Sequence, residues 1–299
     1  MTDLALHSTP GLRAVFREQV RALGLSLRLP ALGGLALLAL ATLFIGGEVV
    51  RHGARIGFHP ERWMLPGVLG ALLPVAVWFG EDRFGGAFLW TFPVDRRAHA
   101  LAKIFGGWVW LMTAIAVFVL WLLTFALLSG GNVLGAETLR MATPATSLQA
   151  LDPATLRSVR WSPEPVLWLV PFTAATGMYL LFSALVLGPR QPWRWVAGTI
   201  AAFFLLTIAM ETSTTPWLRG PFSDVLQAVL FGPYGLEGLL IAHTEGLRVE
   251  TPIKDGQAIT FWLGLPDPGR WAAATLLWLA AGLAALWAAA SRHRERRRP

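Results

Sequence analysis

The side chains able to do chemistry are few and scattered. Histidines stand at His7, His52, His59, His99, His243 and His293, and none belongs to an H-E-x-x-H pair or another zinc-holding spacing. His52 and His59 do gather with Glu48 and Glu61 in one stretch, where a weak metal site competes with the commoner outcome of a solvated loop. No G-x-S-x-G elbow and no paired aspartates within an apolar run offer nucleophilic or acid catalysis. There is no cysteine, which removes disulfides, thiolate ligands and thiol nucleophiles. A G-x-x-x-x-G-K-[ST] loop is missing too, so the chain cannot hold ATP by that route. What remains is one dense cluster, "EDRFGGAFLWTFPVDRRAHALAK", residues 81–103. There Glu81, Asp82, Arg83, Asp95, Arg96, Arg97 and Lys103 surround Phe84, Phe88, Leu89, Trp90 and Phe92. Aromatics rimmed by charge are the composition of a contact surface.

The elements that must position this cluster are membrane spans. Hydrophobic residues make up 55% of the 299, charged residues 14%, and the mean hydropathy is +0.53, far from soluble averages. Six runs carry no Asp, Glu, Lys or Arg: 29–47, 63–80, 104–128, 165–189, 195–210 and 271–291. A hydrocarbon core of about 30 Å takes about 17–25 helical residues. Five runs suffice and 195–210 is slightly short. The expected fold is an all-α membrane protein with six transmembrane helices. The first run ends in "FIGGEVVRHG" without a small-x-small cleavage site, so it is expected to stay as the first span.

Orientation follows from the basic residues. Segments 1–28, 81–103, 189–194 and 292–299 hold 15 of the 25 Lys and Arg. The opposite loops, 48–62, 129–164 and 211–270, hold 10 over nearly twice the length. The positive-inside rule then puts both termini in the cytoplasm, with 292–299 as a basic tail. The net charge of +7 sits beside spans, which makes anionic membrane lipids the partner and argues against nucleic acid.

The flanking regions have readable parts. In 11–28, Arg13, Arg17 and Arg21 share one helical face and Leu12, Phe16, Val20, Leu23 and Leu27 the other, the pattern of an interfacial amphipathic helix over 1–28. Many of the 15 tryptophans fall near span ends, as an aromatic belt requires. Region 129–164 reads as a loop with a short helix started by Asp152-Pro153. In 211–270, two short apolar helices broken at Gly232-Pro233 precede a hairpin around Asp255-Gly256, a small structure outside the membrane between the fifth and sixth spans.

Within 81–103, Phe92-Pro93 marks a corner, so the segment is expected as a short helix or hairpin along the membrane. The run from Glu81 to Arg97 followed by Lys103-Ile104-Phe105, together with the layout, resembles bacterial ABC transporter permeases of the type 2 exporter family. Glu81, Gly86, Pro93, Arg96, Arg97 and Lys103 carry the match. Asp95 stands where Ser is frequent, and Asp82 is an extra acid beside Arg83.

The resemblance implies a non-catalytic inner-membrane subunit whose 81–103 segment is a coupling helix seated on cytoplasmic ABC ATPase subunits. ATP and Mg would be bound by those partners, with no cofactor on this chain. A second permease copy or a homologous permease would complete the transporter. Arg190 and Arg194, in "GPRQPWRW", are the second expected cytoplasmic contact. Pro66 and Pro74 are expected kink points. Trp78, Phe203, Phe204, Thr207 and Met210 are candidates for a transport path. The spans contain no ionisable residue, so ion coupling is not expected. Two alternatives stand beside this: a non-transporting subunit passing ATPase motion to an outer partner through 211–270, and a lipid-modifying membrane enzyme.

Overall fold

The computed structural model describes residues 12–53, 55–78, 96–143, 155–189, 220–242, 248–252, 258–262 and 264–292, with isolated positions between 194 and 205. α1 (Leu12–Ser26) turns at Leu27 into α2 (Arg28–His52). A 3-10 turn (Pro60–Arg62) leads to α3 (Leu65–Val77), and α4 (Arg96–Leu128) follows. After a 3-10 segment (Pro165–Leu169) comes α5 (Val170–Leu187), then α6 (Pro221–Phe231), α7 (Leu236–Ile241) and α8 (Pro268–Ser291).

Among the described residues five stretches can cross a membrane by length and composition: Arg28–His52, Arg97–Leu128, Pro165–Leu187, Asp224–Ile241 and Pro268–Ser291. Four coincide with expected runs one, three, four and six. Asp224–Ile241 is not one rod. It comprises α6 and α7, separated at 232–235, where the Gly-Pro pair anticipates a break. The expected fifth span, 195–210, lies almost wholly outside the described residues.

The expected second span differs in length. α3 has 13 residues, about 20 Å of helix against a core of about 30 Å. Pro66 sits in its first turn, where a missing N–H costs nothing, so it starts the helix instead of kinking it. Pro74 alone is interior.

α4, at 33 residues, is about 50 Å long and overshoots the hydrocarbon. α1 packs along its first half. Leu23 and Leu27 are buried there, and the Trp110 indole N–H donates to the Val20 carbonyl at 2.9 Å. The apolar face of α1 therefore meets protein, while Arg13, Arg17 and Arg21 stay exposed.

The core joins α3, α4, α5 and α8 to the end of α1. Two close approaches set its geometry. A Cβ at Gly70 would fall on the Ala175 backbone carbonyl, so α3 and α5 touch backbone to backbone. Tyr179, fully buried on α5, donates its hydroxyl to the Ile104 carbonyl of α4 at 2.7 Å. By contrast α2 buries no residue. It is apolar on every face, as a lipid-facing span is, and is tied to α4 where Trp121 Nε1 donates to Thr42 Oγ1 at 2.9 Å.

Beyond the helices lies a four-stranded sheet, in the order β2-β1-β4-β3. β1 (Glu137–Met141) pairs antiparallel with β2 (Arg157–Trp161), and β3 (Arg248–Pro252) with β4 (Ala258–Trp262). Met141 meets Trp262 in a parallel pairing that joins the hairpins. The β3–β4 hairpin is the one expected around Asp255-Gly256, its turn lying outside the described residues. The β1–β2 hairpin is not among the expected elements, so the chain is helical in its membrane part but carries a β cap. Asp152-Pro153, the expected helix start, lies outside the described residues.

The two ends of the bundle are distinct. Arg97 at the start of α4 stacks on Trp287 near the end of α8, and Arg292 Nη1 donates to the Gly188 carbonyl at the end of α5. The described parts of the basic segments thus share one end, and the sheet occupies the other. Ala242, just after α7, packs with Leu167, Val170 and Trp271 at the sheet end.

Candidate functional site

Residues 79–95 lie outside the described residues, and with them Glu81, Asp82, Arg83, Gly86, Pro93 and Asp95. The two points where that segment joins the bundle are described. Trp78 caps α3, its backbone N–H bonded to the Pro74 carbonyl at 3.2 Å, and its ring is buried. Lys103, in the second turn of α4, is only 5% exposed. Its Nζ lies 4.7 Å from the Trp78 ring centroid. A buried ammonium needs compensation, and the face of an indole supplies part of it.

Arg97 turns the other way along α4. Its guanidinium carbon is 3.6 Å from the Trp287 centroid, and it lines an apolar groove between α1, α4 and α8. Arg96 opens α4. Arg194 occupies an exposed helical position; Arg190, Phe203, Phe204, Thr207 and Met210 lie outside the described residues. Trp78 belongs to the packed core.

A second constellation sits at the sheet end. His52 and Glu48 face each other at 3.6 Å on exposed α2, apart from His59 and Glu61. Those two join Glu137 of β1. His59 Nε2 hydrogen-bonds Glu137 Oε1 at 3.2 Å, while Nδ1 lies 3.3 Å from Glu61 Oε1, an ion-pair distance without hydrogen-bond alignment. Arg62 Nε approaches the same Glu61 oxygen at 3.5 Å and its guanidinium lies 4.2 Å from the Trp262 ring centroid. Trp161 stacks on His59. Glu61 is 1% exposed, so a solvated loop does not describe it. Among the described residues no group of three or more His, Asp or Glu side chains is arranged to hold a metal ion.

What this cluster does is mechanical. The 3-10 turn that carries His59, Glu61 and Arg62 leads straight into α3, and Glu137, Trp161 and Trp262 come from three strands. The His59–Glu137 hydrogen bond and the Trp161 and Trp262 rings thereby hold the start of α3 to the sheet. Sequence distance hid it: His59 and Glu137 are 78 positions apart. Comparison with protein-family models, with curated proteins and with solved structures returns no match.

Proposed function

We propose that the chain is a permease subunit of an ATP-driven exporter of the ABC type 2 kind, in a bacterial inner membrane with six spans and both termini cytoplasmic. The carrying observation is the Lys103–Trp78 contact, which ties α3 to α4 on either side of the charged segment. A load on that segment would then move both helices together. In this reading Glu81, Asp82, Arg83, Gly86, Pro93, Asp95 and Arg96 meet the ATPase, while Arg97 and Lys103, stacked on Trp287 and Trp78, pass the motion inward. Arg190 and Arg194 form the second contact, and a second permease faces this one. ATP and Mg reside on the partners. A path past Trp78, Phe203, Phe204, Thr207 and Met210 would need Trp78 to leave the core on opening.

The test is purification of the chain with its native partners. An ABC ATPase is expected to co-purify, and Arg83→Glu with Arg96→Glu is expected to release it. An intact complex with unchanged ATP turnover in that double variant would sink the reading.

One observation favours the non-transporting alternative. The turn that leads into α3 is held to the sheet through His59 on Glu137 and Arg62 on Trp262, so motion at Trp78 has a route to an extracytoplasmic partner. Substrate-stimulated ATP hydrolysis in proteoliposomes separates the two readings, since a pure force transmitter gives none.

A further inference from the structure

At the end of the bundle opposite the sheet, a groove of about 590 Å³ opens between α1, α4 and α8. Its floor is one face of α4: Arg97, Leu101, Phe105 and Trp108 recur at the helical period. Phe16 of α1 and Trp287 of α8 form the walls. From Arg97 to Trp108 the helix rises about 16 Å, close to half of a hydrocarbon core of about 30 Å. The groove is therefore one leaflet deep, apolar below and cationic at its mouth.

The mouth presents a guanidinium edge to an anion. Stacking on Trp287 uses the face of the Arg97 guanidinium and fixes its plane, and guanidinium N–H groups donate from the edge. Arg13 is exposed one turn before Phe16, at the border between the arginine face and the apolar face of α1, whereas exposed Glu18, two positions past Phe16, lies on the far side of the helix from it. Asp95 lies outside the described residues. A transmembrane helix from another chain would fill the floor but bring no anion to the mouth.

We infer that this groove holds a glycerophospholipid with an anionic headgroup, one acyl chain along Leu101, Phe105 and Trp108 and the phosphate at Arg97. The inference rests on the chain being in a membrane and not on the ATPase reading, so either can fail alone.

The experiment is native mass spectrometry of the full chain in detergent, titrated with dioleoylphosphatidylglycerol, dioleoylphosphatidylcholine or glycerol 3-phosphate. The anionic lipid is expected to be retained about tenfold over phosphatidylcholine, as one charge-assisted contact allows, and glycerol 3-phosphate not at all. Arg97→Gln should bring that ratio to about one, and Arg97→Lys should keep most of it, because both cations bind phosphate. Ala98→Trp, filling the groove, should lower adducts of both lipids with the melting transition retained. Equal retention of the two lipids by the unaltered chain overturns the proposal, as does a preference surviving Arg97→Gln or binding of the headgroup alone. So does Ala98→Trp turning dimer into monomer with lipid adducts unchanged, which would assign the groove to a second copy. If Arg97→Gln cannot be purified, the lysine and tryptophan variants decide the same question.

Discussion

Lys103 and Trp78 meet at 4.7 Å, ammonium over indole, joining the helices that bracket the charged segment. The pair lies inside the packed core, with Trp78 only 3% exposed. A cation held over an aromatic face and shielded from water is worth more than one at the surface.

Trp78→Phe keeps a π face for Lys103, and Trp78→Leu does not. The leucine variant is expected to be less stable than the phenylalanine variant by about 1–2 kcal/mol, read from unfolding of the detergent-solubilised chain. Equal stabilities would mean that the ring contributes packing alone.

Glu61 is a carboxylate 1% exposed, with His59 and Arg62 directed at one of its oxygens. Glu61→Ala takes the carboxylate away from the Arg62 guanidinium and the His59 ring and should cost about 3–5 kcal/mol. Paired with His59→Ala in a double-mutant cycle, the losses should fall short of additive. Simple additivity would show that the two side chains do not act together.

Gly70→Ala places a methyl against the Ala175 carbonyl, which is backbone and cannot rotate away. Expected is a loss of about 1–3 kcal/mol from overpacking. Gly33→Ala on α2 is the control, because nothing lies within 4 Å of the added carbon. There the change should be neutral or stabilising by up to about 1 kcal/mol, as helix propensity dictates. Matching melting curves for the two variants would contradict the seam between α3 and α5.

Tyr179→Phe removes a single buried donor to the Ile104 carbonyl. The loss should be about 1–2 kcal/mol, the value of one such bond together with a carbonyl left poorly satisfied. Thermal unfolding of the two proteins in one detergent checks it; an unchanged midpoint would remove the bond from the account of α4–α5 packing.

The long apolar runs were legible because membrane insertion asks only for length and lack of charge, and α2, α4, α5 and α8 follow them. Their ends were not. α8 starts at Pro268 with the Asp267 carboxylate accepting from Gly269 and Arg270 N–H groups, yet Arg270 made the run look as if it began at Trp271. An Asp-Pro helix start operates at 267–268. Strands β1 and β2 escaped notice because each is five residues long. Their alternation, Thr-Leu-Arg-Met and Ser-Val-Arg-Trp, was the available signal. Lys103 was legible as part of the charged segment, but its position over Trp78 was not, since nothing in the spacing of two helices joined by residues 79–95 fixes which side chains meet. The outer cluster was half legible: His59 and Glu61 stand together in the chain, but Glu137 arrives only through the sheet.

The parallel pairing of Met141 with Trp262 also sets an order of events. β1 and β2 lie early in the chain, yet the strand that completes their sheet directly precedes the last helix. A nascent chain can form its first helices and still leave the edge of β1 uncovered until that late strand has been made. Non-local pairing of this kind is slow to close, and an open strand edge is a place for neighbouring chains to join. The cap is thus the final piece of biogenesis, and truncation before residue 258 would yield an inserted protein with an adhesive edge.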